Sequence, residues 1–248
     1  MTVSDNGTRH VFTSMGTAVS LAFAGEAPAG AIAAVENVFR ALDDQFSLYK
    51  PQSEATAVAH GGLQITAASR RMQDTYALAD RWRIATADAF TPHRPDGSID
   101  LSGVVKAIAI DESGAALRAH GASDWCLNAG GDVLTSGAQA DGMPWVVGVV
   151  DPADRGRLLT QFTCSTAYPA VATSGVTERG EHVWRQDDAD RFVQVTVVAS
   201  DIITADVLAT AILSGGRTAL DRALTRWPLE VIAANASGEY LTTPAFRA

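Results

Sequence analysis

A lysine close to the predicted start of a helix is the first feature that could bind a ligand. Lys106 stands alone in an apolar run, with Asp100, Ser102 and Gly103 just before it. Ser102 is a preferred N-cap residue, so we expect a helix to begin near Gly103. A cation there opposes the helix dipole, unless an anion is held at the helix start by Lys106 and by backbone N–H groups. The alternative is that Lys106 pairs with Asp100 or Glu112 and that nothing binds.

A carboxylate and a hydroxyl one helical turn apart form a second candidate site. Asp206 and Thr210 are spaced i and i+4, so they share one face of a predicted helix. Two oxygen ligands in that arrangement suit a hard cation such as Mg²⁺, which takes waters and phosphate oxygens as its remaining ligands. The alternative is structural, because Asp206 complements the helix dipole and Thr210 can bond a carbonyl of its own helix.

A glycine-rich turn is the third candidate. The stretch Asn128–Asp132 reads NAGGD and lies between two apolar runs. Paired glycines can present backbone N–H groups to an anion or to a flat ring. An ordinary β-turn explains the same residues.

A polar stretch between two predicted strands is the fourth candidate. Thr173–His182 carries the hydroxyls of Thr173 and Ser174, a cation at Arg179 and a histidine at His182. Histidine titrates near neutral pH and is the commonest general acid or base, and arginine binds phosphate well. The alternative is an exposed hairpin loop with no chemical role.

The elements that would position these residues follow no regular βα alternation, which favours an α+β fold. Periodicity predicts helices with apolar stripes, and the last two are separated by Gly215-Gly216. The predicted helices are Ala31–Asp43, Ser69–Thr86, 103–119, Thr204–Leu213 and Thr218–Arg226. Alternation and β-branched residues predict strands. They are His10–Ala24 (one strand or a bent pair), three strands from Asp124 to about Gly148, Leu158–Thr163, Tyr168–Thr173, Arg191–Ala199, Leu229–Ala234 and Glu239–Thr242.

Composition limits the classes of partner. The chain has 248 residues, 47% of them hydrophobic, and a formal net charge of −9 with no block of like charge. We therefore expect a soluble protein that binds neither nucleic acid nor an anionic membrane. Cys126 and Cys164 are too few for a disulfide framework, so they are expected to be reduced core thiols. With no signal peptide or membrane-spanning run recognised, a cytoplasmic location is expected, and the oligomeric state is open.

Seven segments, in this order, resemble the ApbE family of FAD:protein FMN transferases. They run from the N-terminal region to the predicted helix that carries Asp206. The segments are MGT at 15–17, FSLYKPQSE at 46–54, DAF at 88–90, DLSGVVK at 100–106, NAGGDV at 128–133, ATSGVTERGEHV at 172–183 and ADVLATA at 205–211. The resemblance implies one α+β, T-fold-related domain over residues 1–248, with mixed or antiparallel sheets packed by helices.

The resemblance also implies an activity and its residues. FAD is the substrate, Mg²⁺ the cofactor, and a threonine or serine hydroxyl of an acceptor protein takes the FMN while AMP leaves. Asp206, Thr210 and the carbonyl of Gly103 are implied as metal ligands. His182, together with Asp206, is implied in catalysis. The implied FAD-binding residues are Met15, Ser47, Tyr49, Ala89, Phe90, Thr91, Asp100, Lys106, Asn128, Gly130, Gly131, Asp132, Ser174 and Arg179.

Two departures from the family pattern bear on that activity. Ala107 follows Lys106 where the family has glycine, and its methyl group narrows the space there. The family's Asp-Pro after the histidine is replaced by Val183-Trp184-Arg185-Gln186. This second change motivates an alternative function, that of an FAD-binding protein or an FAD hydrolase (releasing FMN and AMP) that no longer modifies a protein.

Overall fold

The protein, described here from a computed structural model over residues 7–175 and 191–246, is built on an eight-stranded antiparallel sheet. The strand order is β1-β2-β3-β4-β7-β8-β9-β10, and β5 pairs with β6 in a separate hairpin. The strands are β1 (Arg9–Ser14), β2 (Thr17–Phe23), β3 (Trp125–Ala129), β4 (Asp132–Ser136), β5 (Val146–Val150), β6 (Leu158–Thr163), β7 (Ala170–Gly175), β8 (Phe192–Ala199), β9 (Glu230–Asn235) and β10 (Tyr240–Thr242).

Five α-helices and two short 3-10 helices complete the described chain. The helices are α1 (Ala31–Phe46), α2 (Glu54–Ala59), α3 (Arg70–Ala85), α4 (Ser102–Ala119) and α5 (Ile202–Arg226), with 3-10 turns at Ile65–Ala67 and Pro244–Phe246. The predicted α+β class is confirmed, and the strand and helix predictions agree with the structure to within a few residues. Helix α2 was not predicted, because a six-residue helix is too short to show a helical period.

The two faces of the large sheet are covered differently. Helices α1, α4 and α5 pack on one face, where the main core includes Phe39, Val104 and Leu208. The β5–β6 hairpin covers the other face around Trp145 and Phe162. The central strands of the sheet are therefore buried on both faces, as their apolar residues require.

Two tight hairpin turns lie at the same end of the sheet's strands. Met15 and Gly16 join β1 to β2, and Gly130 and Gly131 join β3 to β4; all four have positive φ. That conformation is typical of the type I′ turn, whose twist matches that of the flanking strands. The structure confirms the pair of strands predicted over His10–Ala24 and joins them by this two-residue turn.

Helix α5 is kinked at one glycine. Gly216 has φ 59° and ψ −146°, so two helical segments meet there at a kink. Such a backbone conformation is open to glycine and strained for other residues. The two predicted helices separated by Gly215-Gly216 are therefore confirmed as two parts of one bent helix.

Helices α1 and α4 run antiparallel. An ideal Cβ built on Gly30, before α1, would lie 3.4 Å from the ring of His120, after α4. The end of α1 near Ser47 therefore lies toward the start of α4. None of the described helices is long and apolar enough to cross a membrane. Cys126 and Cys164 are both buried free thiols, as predicted.

Candidate functional site

Lys106 forms an ion pair that the sequence did not predict. Its Nζ lies 2.6 Å from Oδ2 of Asp132, at the start of β4. The two predicted partners are engaged elsewhere: Asp100 with Arg94, and Glu112 with Arg71. The predicted pairing of Lys106 with Asp100 or Glu112 was therefore wrong, because the true partner is distant in sequence and is brought close only by the fold.

The start of α4 is capped by a residue other than the predicted one. The N-cap position is Leu101, and Oδ1 of Asp100 accepts from the backbone N–H of Ser102 at 2.9 Å. Ser102 as N-cap was wrong, since it is the first helical residue. The Asp100 carboxylate complements the dipole at this helix start, and binding of a separate anion there stays a prediction.

The Asp100 carboxylate is held from both sides. Arg94 Nε donates to its Oδ2 at 3.0 Å. Burial raises the pKa of Asp100, but the hydrogen bonds from Ser102 and the contact with Arg94 outweigh burial and leave that pKa below its usual range. Asp100 is therefore charged at neutral pH, and its carboxylate fixes the loop that leads into α4.

Asp206 and Thr210 lie on the inner side of α5, facing the sheet. Asp206 is the fifth residue of the helix and is fully buried, while Thr210 is half-buried one turn later. The first turn is capped by Asp201, whose Oδ1 accepts from the N–H of Thr204 at 2.8 Å. Asp206 therefore belongs to the second turn and is not the capping residue of α5.

The end of β7 meets this face of α5. Oγ of Ser174 lies 3.1 Å from Oγ1 of Thr210. Ser174 is itself buried. Three of the predicted site residues, Asp206, Thr210 and Ser174, therefore present oxygen atoms in one region between the sheet and α5.

The segment before α4 reaches the same helix from the other side. Ser214, one turn after Thr210, donates from its hydroxyl to the carbonyl of Ala89. The next residue, Phe90, packs against Gly103, where an ideal Cβ would lie 2.9 Å from the Phe90 ring. Gly103 is thus a glycine because an aromatic ring occupies the space of a side chain.

Two contact paths therefore join the start of α4 to α5. In the first path, Lys106 contacts Asp132, and Oδ1 of Asp132 accepts from the backbone N–H of Thr173 at 3.1 Å. The next residue of β7, Ser174, contacts Thr210 on α5. The other leads from Gly103 through Phe90 and Ala89 to Ser214. The lysine region and the Asp206–Thr210 region are therefore neighbours in the fold.

The glycine turn is explained by the hairpin. Gly130 N–H donates to the carbonyl of Ala18 at 3.1 Å, and Gly131 N–H donates to Oδ1 of Asn128 at 2.9 Å. An ideal Cβ on Gly130 would lie 2.6 Å from Oγ1 of Thr17. Because both N–H groups are engaged within the protein, the predicted display of these groups to an anion was wrong. Binding of FAD by Asn128, Gly130 and Gly131 in another way stays a prediction.

Four other predicted residues lie on or near the surface. Met15 lies in the β1–β2 turn and packs against the main core. Ser47 follows α1, Tyr49 is 90% exposed, and Thr91 is exposed beside Phe90. Their contact with FAD stays a prediction. Arg179 and His182 lie outside the described residues, as does the departure from the family pattern that follows His182.

The donor atoms of the region fit a hard cation with few protein ligands. Asp206 offers a buried carboxylate, and Thr210 and Ser174 offer hydroxyls 3.1 Å apart. Within residues 7–175 and 191–246, no three His, Cys, Asp or Glu side chains gather as a metal cluster. Oxygen donors of this kind suit Mg²⁺, which keeps waters or substrate phosphates in its coordination shell.

Sequence reasoning missed two parts of the site. Ser214 continues the i, i+4 series of Asp206 and Thr210, so the helical period contained the signal. The loop before Ala89 is tied to α5 as well, because Arg222 donates to the carbonyl of Thr86 at 2.9 Å. Ala87 and Asp88 in this loop have positive φ, so the backbone there is held in a strained conformation by these contacts. No local pattern indicated the arginine contact.

A comparison with models of known protein families identifies the family of this chain. A sequence model of the ApbE family matches residues 91–233, more than half of the chain. The protein belongs to the ApbE family.

Two curated relatives are each named FAD:protein FMN transferase. The one from Vibrio cholerae is 28% identical over 137 residues, which are 49% of this chain and 40% of that protein. The one from Haemophilus influenzae is 24% identical over 142 residues, 52% of this chain and 40% of that protein. The matched stretch thus spans less than half the length of either relative.

Solved structures of the family share the fold. The ApbE protein from Thermotoga maritima superposes with a TM-score of 0.80 at 18% identity, covering 98% of both chains. The flavin transferase ApbE from Vibrio cholerae gives a TM-score of 0.76 at 19% identity, again with 98% of both chains covered. At these identities the likeness establishes the architecture of the chain.

Proposed function

We propose that the protein is a Mg²⁺-dependent FAD:protein FMN transferase. FAD would bind across the site, an acceptor threonine or serine hydroxyl would attack the phosphorus of the FMN half, and AMP would leave. The P–O bond to AMP breaks, a P–O bond to the acceptor forms, and the hydroxyl proton passes to a base. Supporting this proposal are the membership of the ApbE family and the names of the two relatives.

The observation that carries the proposal is the meeting of the two halves of the site. The Lys106–Asp132 pair and the Ser174–Thr210 pair are linked through adjacent residues of β7. A diphosphate needs cationic groups close to each other, and this chain, with a net charge of −9, must concentrate its positive charge locally. Phosphoryl transfer depends chiefly on such charge neutralisation and positioning.

Each group has a proposed role in binding. Asp206, Thr210 and the carbonyl of Gly103 would hold Mg²⁺, which would supply charge neutralisation at the diphosphate. Lys106 would bind phosphate oxygens, and Ala89 and Phe90 would form part of the wall beside the flavin nucleotide. His182 is proposed as the proton acceptor, because a neutral imidazole can take a proton near pH 7.

The decisive experiment incubates the protein with FAD and Mg²⁺, with and without an acceptor protein of one of the two relatives. We expect AMP release that depends on the acceptor, and an acceptor mass increased by one FMN. Asp206→Ala should abolish both signals and the response to Mg²⁺, while Asp221→Ala, on the outer part of α5, should leave them unchanged.

Two results would contradict the proposal. AMP release that is equal with and without acceptor, and no FMN adduct, would identify an FAD hydrolase instead. Intact FAD in every sample, with full activity of a known relative measured in parallel, would exclude both reactions.

A further inference from the structure

We infer that Asp132 is a positioning residue that holds Lys106 in place for phosphate binding, rather than a residue that touches FAD. This inference rests on the proposed function. It begins with burial: the Asp132 side chain is 0% exposed, whereas the Lys106 side chain is 21% exposed. A ligand arriving from solvent can reach the lysine but not the carboxylate behind it.

Both oxygens of Asp132 have identified contacts within the protein. Oδ2 lies 2.6 Å from Lys106 Nζ, and Oδ1 accepts from Thr173 N–H at 3.1 Å. The carboxylate therefore ties a side chain of α4 to the backbone of β7. The next residue of β7 is Ser174, which contacts Thr210, so the same carboxylate fixes the lysine relative to Asp206 and Thr210.

Positioning of this kind has a physical benefit. A lysine side chain loses conformational entropy when a ligand orders it, and that loss weakens binding. An ion pair that already orders Lys106 removes much of that cost before FAD arrives. An ammonium group has three N–H donors, so one contact with Asp132 does not use its full donor capacity.

The chain offers a matched control for this arrangement. Asp151 is also fully buried, its Oδ1 accepts from the N–H of Ala153 at 2.8 Å, and its Oδ2 accepts from Nε of Arg157 at 3.1 Å. The Asp151–Arg157 pair lies beside the β5–β6 hairpin, on the other side of the sheet from α4 and α5. Asp151→Asn therefore removes an equivalent charge outside the site.

The first measurement needs no flavin. Lys50 and Lys106 are the only lysines in the sequence, so acetylation by an amine-reactive reagent can be followed at both by mass spectrometry. Asp132→Asn removes an ion pair that favours the charged amine of Lys106. In this variant the acetylation rate at Lys106, relative to the rate at Lys50, should therefore rise about fivefold or more. Asp151→Asn should leave this ratio unchanged. An unchanged ratio in Asp132→Asn would overturn the inference.

The second measurement is the affinity for FAD, followed by quenching of flavin fluorescence in the wild type, Asp132→Asn, Lys106→Met and the double variant. We expect Asp132→Asn to weaken binding about tenfold, and the double variant to bind no more weakly than Lys106→Met, because coupled residues are not additive. Thermal unfolding of each variant checks that it is folded, and Asn keeps an oxygen that can accept from Thr173.

The outcomes separate the two proposals. If the wild type and Asp132→Asn bind FAD with equal affinity, the positioning role alone is overturned. The same conclusion follows if the affinity losses of the two single variants multiply in the double variant. A wild-type protein that does not bind FAD overturns the proposed function, and the positioning role with it.

Discussion

The hydroxyl of Ser174 lies 3.1 Å from the hydroxyl of Thr210, joining the end of β7 to the inner face of α5. Ser174 stands two residues before the segment 176–190, which carries His182, while Thr210 stands one turn after Asp206. This contact brings a strand end and a helix face, which are distant in sequence, to one place. It is the point at which the proposed metal ligands meet the sheet.

Removing the Thr210 hydroxyl should impair the reaction more than the fold. Thr210→Val keeps the shape of the side chain, and we expect Mg²⁺-stimulated AMP release to fall about tenfold or more, as for other groups around a metal site. The half-saturating Mg²⁺ concentration should rise. The control is Thr225→Val on the same helix, since Thr225 bonds only the carbonyl of Asp221 among its identified contacts. Equal Mg²⁺ dependence in both variants would remove Thr210 from the metal site.

Adding a methyl group at Gly103 should disturb the wall beside the site. In Gly103→Ala the new Cβ would lie 2.9 Å from the Phe90 ring, so the ring must move. A small displacement in a reacting site can cost up to about a hundredfold in rate, and we expect kcat to fall by at least tenfold.

The control for this change is Gly25→Ala, because a Cβ on Gly25 meets nothing within 4 Å. Steady-state AMP release and thermal unfolding of both variants separate a local effect from a loss of folding. A Gly103→Ala protein with wild-type kcat would mean that Phe90 is not part of the reacting site.

Asp100 should make stability fall as the pH is lowered. Its folded-state pKa is below the usual value, since the contacts with Ser102 and Arg94 outweigh the opposing effect of burial. A carboxyl group with a lowered pKa stabilises the folded state at pH values above its unfolded-state pKa, which is about 3.9. That contribution is lost as the pH falls through the folded-state pKa.

Asp100→Asn tests this contribution. It keeps an oxygen that can cap α4 but carries no charge, so the free energy of unfolding should depend less on pH below about pH 5 than in the wild type. Denaturant unfolding between pH 3 and pH 7, in steps of about half a unit, measures it. Parallel curves for the two proteins would show that the Asp100 charge does not contribute to stability.

The two thiols should be unreactive in the folded protein. Burial raises the pKa of the Cys126 thiol to about 12, and burial also raises the pKa of Cys164. Because the thiolate is the reactive form, we expect little alkylation by iodoacetamide at pH 8 and full alkylation of both residues in denaturant. Mass spectrometry after timed labelling counts the modified thiols. Rapid alkylation of Cys126 in the native state would contradict the packing of the β5–β6 hairpin on the sheet.

Local patterns predicted the elements of the site better than their contacts. The i, i+4 spacing placed Asp206 and Thr210 on one helix face, and the glycine pair marked the β3–β4 turn. The pairing of Lys106 with Asp132 depends on the packing of α4 against the sheet, which no spacing encodes. The helix cap was misplaced by one residue, because Ser102 and Asp100 are both good capping types and only the backbone shows that Leu101 takes the N-cap position.

The most direct measurement is a crystal structure of the protein with FAD and Mg²⁺. We predict the diphosphate between Lys106 and the Asp206–Thr210 face of α5, with the metal ion bound to Asp206. Electron density for FAD elsewhere, for example in the groove of about 260 Å³ between Leu224 and Tyr240, with nothing bound beside Lys106, would contradict the proposed site.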